Sequence, residues 1–357
     1  MACLTSREGE VCLARPTDGS SLLVARLLEA AAQGDEGLVR ALIQQGADPL
    51  YQDAEGHNAL MQAAAHGHEG IVGLLLEAGV PWNAIDKEGN CAGDLAVAAA
   101  HESTAEMLLE AGMRAELVLG ALERKLGGQP PAPQHQYLQQ RLQYDAEERL
   151  MDAEDRAVMM AWEGPLMEAH AHAICSSGGD VLNVGFGMGL IDEAIQRRRP
   201  RSHTIVEAHP DVHARMLQQG WDRKPGVRIL FGRWQDVLPE AGLAFDGIFW
   251  DTFSEYYEDM QEFHALLPRL LKADGTYSYF NGLAADNAFF HMVYCNIASA
   301  ELQQLGLETE YVPLPIDCSN PKVWEGVRNR YWQLDTYMLP VCTLTVTAGD
   351  SGPPAAE

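Results

Sequence analysis

A short segment that recurs three times in the first third of the chain constrains the fold more than any other feature. Its copies are LIQQGAD at 42–48, LLEAGVP at 75–81 and LLEAGMR at 108–114. The glycines of these copies are 33 residues apart, which is the period of ankyrin repeats. Each such repeat is a helical unit that buries its apolar face against its neighbours. We therefore predict an all-α ankyrin-repeat domain over residues 20–126.

The repeats carry two further signals. The glycine of each copy is expected to end the second helix of its repeat in a left-handed cap. A signature of the first helix also recurs, as AAQGD at 31–35 and AAHGH at 64–68. In the third repeat Ala98 and Ala100 stand where the small residue and the glycine would fall. A degraded copy of this kind is typical of a terminal repeat.

A proline- and glycine-rich stretch, GGQPPAPQ, follows the repeats. Prolines lack the backbone donor that a helix needs, so residues 127–135 are predicted to be a linker. From residue 136 to about 175 the pattern is typical of helix, and beyond it apolar strands alternate with helical segments to about residue 300. The strand candidates lie at 181–184, 203–206, 227–230, 245–250 and 275–280, with two more near 308–313 and 331–347.

This alternation predicts a second domain, over residues 136–350, with an α/β fold. Strands that alternate with helices form a parallel sheet, and ligands bind at the carboxyl ends of its strands. The last two strand candidates are expected to form an antiparallel pair at the edge. Residues 351–357 are predicted to be a disordered tail.

The chain is strongly acidic, with a formal net charge of -26. Binding to nucleic acid or to an anionic membrane requires clusters of Lys and Arg, which this sequence lacks, so neither is expected. No apolar run of about 18 residues and no apolar leader is found, so no membrane span or secretory signal is expected. The charge favours a basic protein partner.

The seven cysteines are scattered and form no C-x-x-C motif. An odd number without paired spacing is typical of reduced thiols, not of a disulfide framework or a zinc site. We expect no metal, and we expect the protein in the cytoplasm or the nucleus.

A glycine-rich turn, GFGMG at 185–189, joins the first predicted strand of the second domain to a helix. It lets a cofactor approach bare backbone. The third glycine of a dinucleotide motif would fall at Leu190, which disfavours a nicotinamide-dependent dehydrogenase and favours a nucleoside without a pyrophosphate. Glu207 ends the next strand, where its carboxylate is placed to accept hydrogen bonds from ribose hydroxyls. The alternative is a solvated acid at a strand end.

Two further acids stand in apolar surroundings. Asp251 follows the apolar strand at 245–250, and burial of an acid is costly unless it has a partner or a function. Glu163 lies within VMMAWEGPLM, and it is four residues from both Met159 and Met167. The three would share one face of a helix, although Pro165 requires a break or a helix start nearby. The methionines are equally consistent with core packing.

Five segments, in this order, resemble the fungal and plant protein arginine N5-methyltransferases. They are VLNVGFGMG at 181–189, EAHPD at 207–211, GRWQD at 232–236, WDTFS at 250–254 and FNGL at 280–283. That family joins an ankyrin-like N-terminal part to a catalytic domain similar to guanidinoacetate methyltransferase. The resemblance covers residues 136–345, and the repeats extend it to most of the chain. It implies a class I, Rossmann-like methyltransferase domain that uses S-adenosylmethionine.

The resemblance also implies roles for individual residues. Around the methionine part of the cofactor it places Phe186, Gly187, Met188, Gly189, Leu190 and Ile191. For the rest of the cofactor it implies Glu207 at the ribose, Ala208 and His209 at the adenine, Trp234 and Gln235 closing the adenine pocket, Met159 and Met167 packing on the cofactor, and Tyr144 as a lid. Glu163 and Asp251 would grip the guanidinium, with Asp251 also beside the cofactor.

The chemistry of a guanidinium substrate is consistent with a site that contains two acids. A guanidinium has a pKa of about 12.5 to 13.8, so it is a cation without a lone pair to attack a methyl group. One carboxylate can bind the planar cation in two hydrogen bonds, and either can accept the proton that must leave.

The absence of the Thr-His-Trp loop of arginine methyltransferases that modify terminal nitrogens favours the internal nitrogen. The family resemblance suggests a ribosomal protein as substrate.

Two other functions remain open from the sequence. One is a methyltransferase for a small guanidino compound, although ankyrin repeats present an extended protein-binding surface that such a substrate does not need. The other is an interaction scaffold whose methyltransferase domain is inactive. The presence of Glu163, Glu207 and Asp251 together argues against the second.

Overall fold

A computed structural model describes residues 18–126, 134–145, 148–239, 242–255, 257–318 and 320–345. Most of the predicted linker and the whole predicted tail lie outside these residues. The chain divides into two compact units. Among the described residues, the repeat unit contains 18–126 and 284–297, and the sheet unit contains those from 134 to 283 and from 298 to 345. The sequence does not indicate that residues 284–297 group with the repeats.

The repeat unit contains stacked helices, as the 33-residue period predicts. They are α1 Asp18–Gln33, α2 Glu36–Gln44, α3 Ala59–Ala65, α4 Glu69–Glu77, α5 Ala92–Ala98 and α6 Glu102–Leu126. The glycines after α2 and α4 are left-handed, with φ of 91° at Gly46 and 86° at Gly79. The predicted helix caps are therefore confirmed in the first two repeats.

The third repeat ends differently, and the prediction of a cap at Gly112 is wrong. Here α6 continues through Gly112 to Leu126. Pro49 and Pro81 follow shortly after the first two glycines and help to stop those helices, whereas helix-forming residues follow Gly112. A Cβ atom at Gly112 would lie 3.0 Å from the Trp82 ring, so this glycine serves close packing.

Ala100 confirms that the third repeat keeps the backbone of the others despite its altered sequence. Its φ is 58°, in the left-handed region that Gly34 and Gly67 occupy at the matching positions. Within the same unit, residues 284–297 pack on the third repeat. The Phe289 ring lies so close to Gly93 that a Cβ there would be 2.3 Å from it, and Asn287 Nδ2 donates to Asp94 Oδ2 over 2.7 Å.

The sheet unit is built on a seven-stranded sheet. Its strands are β4 Asp180–Val184, β5 Ser202–Glu207, β6 Val227–Phe231, β7 Phe245–Trp250, β8 Leu271–Tyr279, β9 Leu307–Pro315 and β10 Thr336–Leu344, in the order β6-β5-β4-β7-β8-β10-β9. The strands from β6 to β8 are parallel, and β10 and β9 are antiparallel. The predicted Rossmann-like methyltransferase fold behind an ankyrin-repeat domain is confirmed.

Helices connect these strands. They are α8 Gly164–Ile174, α9 Leu190–Arg197, α10 Pro210–Gln218, α11 Trp234–Val237, α12 Tyr257–His264, α13 Leu267–Leu270 and α14 Ala288–Gln304, and α7 Gln134–Tyr137 precedes the sheet. Each parallel crossover packs a helix on the sheet, so the carboxyl ends of β4, β5 and β7 meet at one edge.

Within the described residues we find no helix with the length and apolar character that a membrane crossing requires.

The helical pattern expected from residue 136 to 175 is wrong for its first half. A small antiparallel sheet stands there, of β1 Gln143–Tyr144, β2 Arg149–Met151 and β3 Ala157–Met160. The cause is the turn after β2, where Asp152 Oδ1 accepts from Glu154 N and Arg156 N over 2.8 and 2.9 Å. Such local side-chain bonds compete with helix formation.

The helix begins only beyond Glu163. Pro165 lies in the first turn of α8, where its missing N–H costs nothing. Met159 is therefore on β3, Glu163 in the 3-10 turn Ala161–Glu163, and Met167 on α8. The prediction that the three share one helix face is wrong.

Candidate functional site

The glycine turn after β4 brings two strand ends into contact. Gly185 has a φ of 97°, and a Cβ there would lie 1.8 Å from the backbone oxygen of Asp251. Asp251 N in turn donates to Val184 O over 2.9 Å. Any side chain at Gly185 would push these segments apart, so this glycine fixes Asp251 beside the turn.

Glu207 at the end of β5 faces the same turn. Its carboxylate accepts hydrogen bonds from Phe186 N over 3.0 Å and from His209 N over 2.6 Å. The side chain is buried, and burial raises its pKa above the ordinary value, although these backbone donors act in the opposite direction. Glu207 is therefore not the solvated acid at a strand end that was the alternative.

A cleft opens along these strand ends, and residues from the end of α7 to the loop after β7 line it. Of the residues predicted to hold a cofactor, those that line it are Met159, Gly187, Glu207, Ala208, His209, Trp234 and Asp251. They come from five separate stretches of the chain. The cleft therefore lies where an α/β sheet places its ligand.

The other residues predicted to hold the cofactor do not line the cleft. Phe186, Ile191 and Met167 belong to the apolar core, and Met188, Leu190 and Gln235 are only partly buried without lining the cleft. The Phe186 ring supports the turn, since a Cβ at Gly189 would lie 2.6 Å from it. Met188 N donates to Met159 Sδ over 3.3 Å, and Tyr144 Oη donates to Gly187 O over 3.0 Å.

Glu255 joins α11 to the loop after β7. Trp234 Nε1 donates to both of its carboxylate oxygens over 3.0 Å, and Gln235 Nε2 donates to Oε1 over 3.2 Å. Thr252 Oγ1 donates to the other oxygen. Gln235 thus contacts the cleft lining through its hydrogen bond to Glu255. The same carboxylate holds the Trp234 ring in place in the cleft wall.

Several lining residues were not predicted from the sequence. They are Tyr137, Leu138, Val158, Val184, Val206, Val212, Gly232, Arg233, Thr252, Phe253 and Glu255, whereas Gly185, which also lines the cleft, belongs to the glycine turn that the sequence indicated. The strand end at Asp251 could have indicated Thr252, Phe253 and Glu255, which directly follow it. Tyr137 carries no such signal, and only the fold brings its ring to 5.0 Å from those of His209 and Phe253.

The two predicted catalytic acids are neighbours in the fold although 88 positions separate them in sequence. Burial raises the pKa of Glu163 to about 8, and the charge of Asp251 contributes to this rise. Burial raises the pKa of Asp251 to about 7. Acids whose ionisation is opposed by burial, and for Glu163 also by a neighbouring acid, would be stabilised in their charged form by a cation.

Glu163 is held firmly at the start of α8. Its Oε1 accepts from Met160 N over 2.8 Å and from Tyr331 Oη over 2.6 Å. Only 3% of Glu163 is exposed, and it does not line the cleft itself. Asp251 lines the cleft and is close enough to Glu163 for its charge to raise the pKa of Glu163, so Glu163 lies beside the cleft lining. No group of three or more metal-ligating side chains occurs in the part of the chain that the structure describes.

Residues 131–311 match the model of the family described as guanidinoacetate N-methyltransferase. The chain belongs to the guanidinoacetate N-methyltransferase family. The match begins before the small sheet and ends on β9, so it contains the cleft and both acids. A second match, to ankyrin repeats, covers residues 27–117 and agrees with the stacked helices.

Curated relatives extend this assignment. A protein from Yarrowia lipolytica named protein arginine N-methyltransferase 2 is 42% identical over 224 residues, which are 59% of this chain and 47% of the relative. Proteins of the same name from Aspergillus oryzae and Cryptococcus neoformans are 42% and 38% identical, and the matches cover 60% and 57% of this chain and 52% and 64% of those relatives. The chain thus spans about half the length of the relatives it matches. The resemblance seen in the sequence is confirmed.

Proposed function

We propose that this member of the guanidinoacetate N-methyltransferase family transfers a methyl group from S-adenosylmethionine to an arginine of a protein, at the internal (N5) guanidino nitrogen. The observation that carries the proposal is the pair of neighbouring acids, the buried Glu163 and the partly buried Asp251, of which Asp251 lines the cleft at the strand ends. The names of the relatives support a protein arginine as the acceptor.

The cleft fits S-adenosylmethionine better than a dinucleotide. Its charged lining consists of the acids Glu207, Asp251 and Glu255 against one guanidinium, that of Arg233. Such a surface disfavours a pyrophosphate and suits a cofactor that carries a positive sulfur. Glu207 would take the ribose, Trp234 and His209 would flank the adenine, and Met159 and Gly187 would border the methionine part. When bound, S-adenosylmethionine supplies a methyl group on a positively charged sulfur.

The two acids would perform the rest of the chemistry. A guanidinium binds two carboxylates through several charge-assisted hydrogen bonds, and this fixes the orientation of its nitrogens. As the nitrogen gains the methyl group, its proton passes to one of the carboxylates. An acid whose pKa lies near neutrality is suited to accept and release that proton. This scheme needs no metal.

We further propose that the repeat unit selects the substrate protein. The acid pair recognises a guanidinium, which every arginine offers, so selection of one protein requires contacts elsewhere. Ankyrin arrays bind proteins, and the net charge of -26 favours a basic partner, for which a ribosomal protein is one candidate. The free cysteines of the described residues are consistent with a protein of the cytoplasm or the nucleus.

The test is an assay of the full-length protein with isotopically labelled S-adenosylmethionine and a panel of basic proteins, followed by fragmentation mass spectrometry. Loss of carbodiimide from a methylated arginine leaves the label on ornithine only if the internal nitrogen carries it. Label on the lost fragment would contradict the N5 assignment and leave arginine methylation intact. Failure to label any protein, with the cofactor bound, would contradict the protein substrate.

A small guanidino compound is the second candidate, and the description of the matched family favours it. Guanidinoacetate should be offered in the same assay at millimolar concentration. We expect poor turnover, because such a compound makes no use of the repeats. Turnover of guanidinoacetate with a kcat/KM above that of every protein tested would establish the second candidate instead.

A further inference from the structure

Tyr331 stands in the loop before β10, 168 positions after Glu163. Its hydroxyl donates to Glu163 Oε1 over 2.6 Å. No sequence signal indicates this residue, and neither the cleft lining nor the five motif segments contain it. It is nevertheless the side chain that makes direct polar contact with one of the two acids of the proposed reaction.

We propose that Tyr331 is the positioning residue of the acid pair, which directs Glu163 toward the guanidinium and keeps it a carboxylate that accepts hydrogen bonds. This proposal rests on the proposed function of Glu163. It follows from the count of acceptor positions. A carboxylate oxygen offers two lone pairs, and on Oε1 these meet Met160 N and Tyr331 Oη. The guanidinium is then directed to the remaining oxygen, Oε2.

The surroundings of Tyr331 fix its ring. The centroid of the Trp162 ring lies 5.8 Å away, and the Trp324 ring meets it edge-on at 5.1 Å. Trp162 directly precedes Glu163, and Trp324 lies in the 3-10 turn Pro321–Trp324, shortly before Tyr331. The contact between the Trp162 and Tyr331 rings therefore joins the same two segments as the hydrogen bond from Tyr331 to Glu163. Burial raises the pKa of Tyr331 well above its ordinary value, so the hydroxyl remains a donor at every pH at which the enzyme would work.

Two titratable groups act on Glu163 from the elements packed around it. Asp251 after β7 raises its pKa, and the hydroxyl of Tyr331 from the loop before β10 lowers it. Met160 N, from β3, also lowers it. Tyr331 therefore opposes the effect of burial and increases the fraction of Glu163 that is ionised near neutral pH.

The experiment compares three proteins over a series of pH values: wild type, Tyr331→Phe, and full-length protein with 3-fluorotyrosine at position 331. Tyr331→Phe removes the donor, so the midpoint of kcat/KM should move upward by about one pH unit, with about a tenfold loss at neutral pH. The fluorinated hydroxyl is more acidic and a stronger donor, so it should move the midpoint downward. The affinity for S-adenosylmethionine, measured by calorimetry, should change less than threefold in both.

Tyr257→Phe is the matched control. Tyr257 Oη donates to Glu301 Oε2, also over 2.6 Å, within the same unit but away from the cleft lining. The Tyr257→Phe variant should have a lower melting temperature than wild type but the same pH midpoint of kcat/KM. If Tyr331→Phe behaves like Tyr257→Phe, or if both changes at position 331 leave the midpoint where wild type has it, Tyr331 is structural only and the proposal is overturned.

A measurement without turnover separates this proposal from the proposed function. The carboxyl carbon of Glu163 is followed by NMR in protein labelled with carbon-13 in its glutamates, and the resonance is assigned with Glu163→Gln. Its titration midpoint should rise in Tyr331→Phe and fall with 3-fluorotyrosine. An unchanged midpoint in a folded protein overturns the positioning role. An inactive wild type in which the midpoint shifts as expected would instead contradict the proposed function alone.

Discussion

The two ends of the central sheet use acids in opposite ways. At the amino ends of β4 and β7, Asp180 and Asp246 share the ammonium of Lys272 at 2.6 and 2.8 Å, and Arg201 pairs with both. These cations hold the pKa of Asp180 and of Asp246 below the ordinary range. Such acids are ionised at neutral pH and stabilise the fold.

At the carboxyl ends, the acids have no cation within ion-pair distance among the described residues. Glu207 is the last residue of β5, and Asp251 directly follows β7. Burial raises the pKa of each of them, as it raises the pKa of Glu163. These groups would be stabilised by a ligand that supplies donors or positive charge. Asp246 lies within β7 and Asp251 directly follows it, so the residue type is the same at the two ends of this strand and only the surroundings differ. The contrast agrees with the proposed function, in which the carboxyl end binds a cationic group and its acids lower the stability of the fold.

The largest expected effect is on turnover. Asp251→Asn and Glu163→Gln keep shape but lose the charge that binds a guanidinium and the capacity to accept its proton. We expect kcat/KM to fall by about 10²- to 10⁴-fold for each, with little change in affinity for S-adenosylmethionine. Asp246→Asn, on the same strand as Asp251, should retain turnover and lose stability. Equal activity losses from the changes at the two ends of β7 would remove the contrast.

The next effect is on cofactor binding. Glu207→Ala removes the acceptor for Phe186 N and His209 N, and it removes the acceptor that we propose for the ribose. We expect the affinity for S-adenosylmethionine, measured by calorimetry, to fall by about 1 to 3 kcal/mol. Asp180→Ala at the start of the neighbouring strand serves as the control and should leave the affinity unchanged. Wild-type affinity in Glu207→Ala would assign this acid to the fold and not to the cofactor.

The pH dependence of stability should also differ between the ends. The raised pKa of Glu163, about 8, and of Asp251, about 7, favours the folded state at low pH, and this contribution is lost as pH rises from about 4 to 8. The lowered pKa values of Asp180 and Asp246 act in the opposite sense, so their contribution is present at neutral pH and is lost on acidification.

Thermal unfolding of wild type and Glu163→Gln at several pH values measures this difference. The glutamine has no ionisation cost, so the variant should gain stability relative to wild type as pH rises, by about 1 to 3 kcal/mol between pH 5 and 8. The two acids interact, so the midpoint belongs to the pair and not to one residue. A difference that does not vary with pH would mean that Glu163 ionises as easily in the fold as in the unfolded chain.

The smallest effect is expected from the paired end. Lys272→Met removes the ammonium that Asp180 and Asp246 share but keeps the length of the side chain. Because these groups are partly exposed, we expect a loss of only about 0.5 to 1 kcal/mol, measured by urea unfolding, with kcat/KM unchanged. Added salt should reduce the difference from wild type. A loss of activity in Lys272→Met would show that the two ends are coupled through the strands.

The sequence by itself determined the elements that depend on local pattern. The 33-residue period gave the repeats because each copy must bury the same face, and alternation of strands and helices gave the parallel sheet. The glycine turn at 185–189 and the acids Glu207 and Asp251 were found because strand ends in such sheets meet at one edge.

Tertiary structure decided whatever depends on contacts between distant segments. The small sheet of β1 to β3, which stands where a helix was expected, is bonded to a distant segment, since Arg149 Nη1 donates to Glu325 O over 2.6 Å and Arg328 N donates to Asp155 O over 2.8 Å. Trp82 packs against α6 at Gly112. Tyr137 reaches the cleft from outside the strand pattern, and Tyr331 reaches Glu163 from 168 positions away. Residue type and spacing do not encode such pairings, because they arise only when packing fixes which side chains meet and water leaves the space between them.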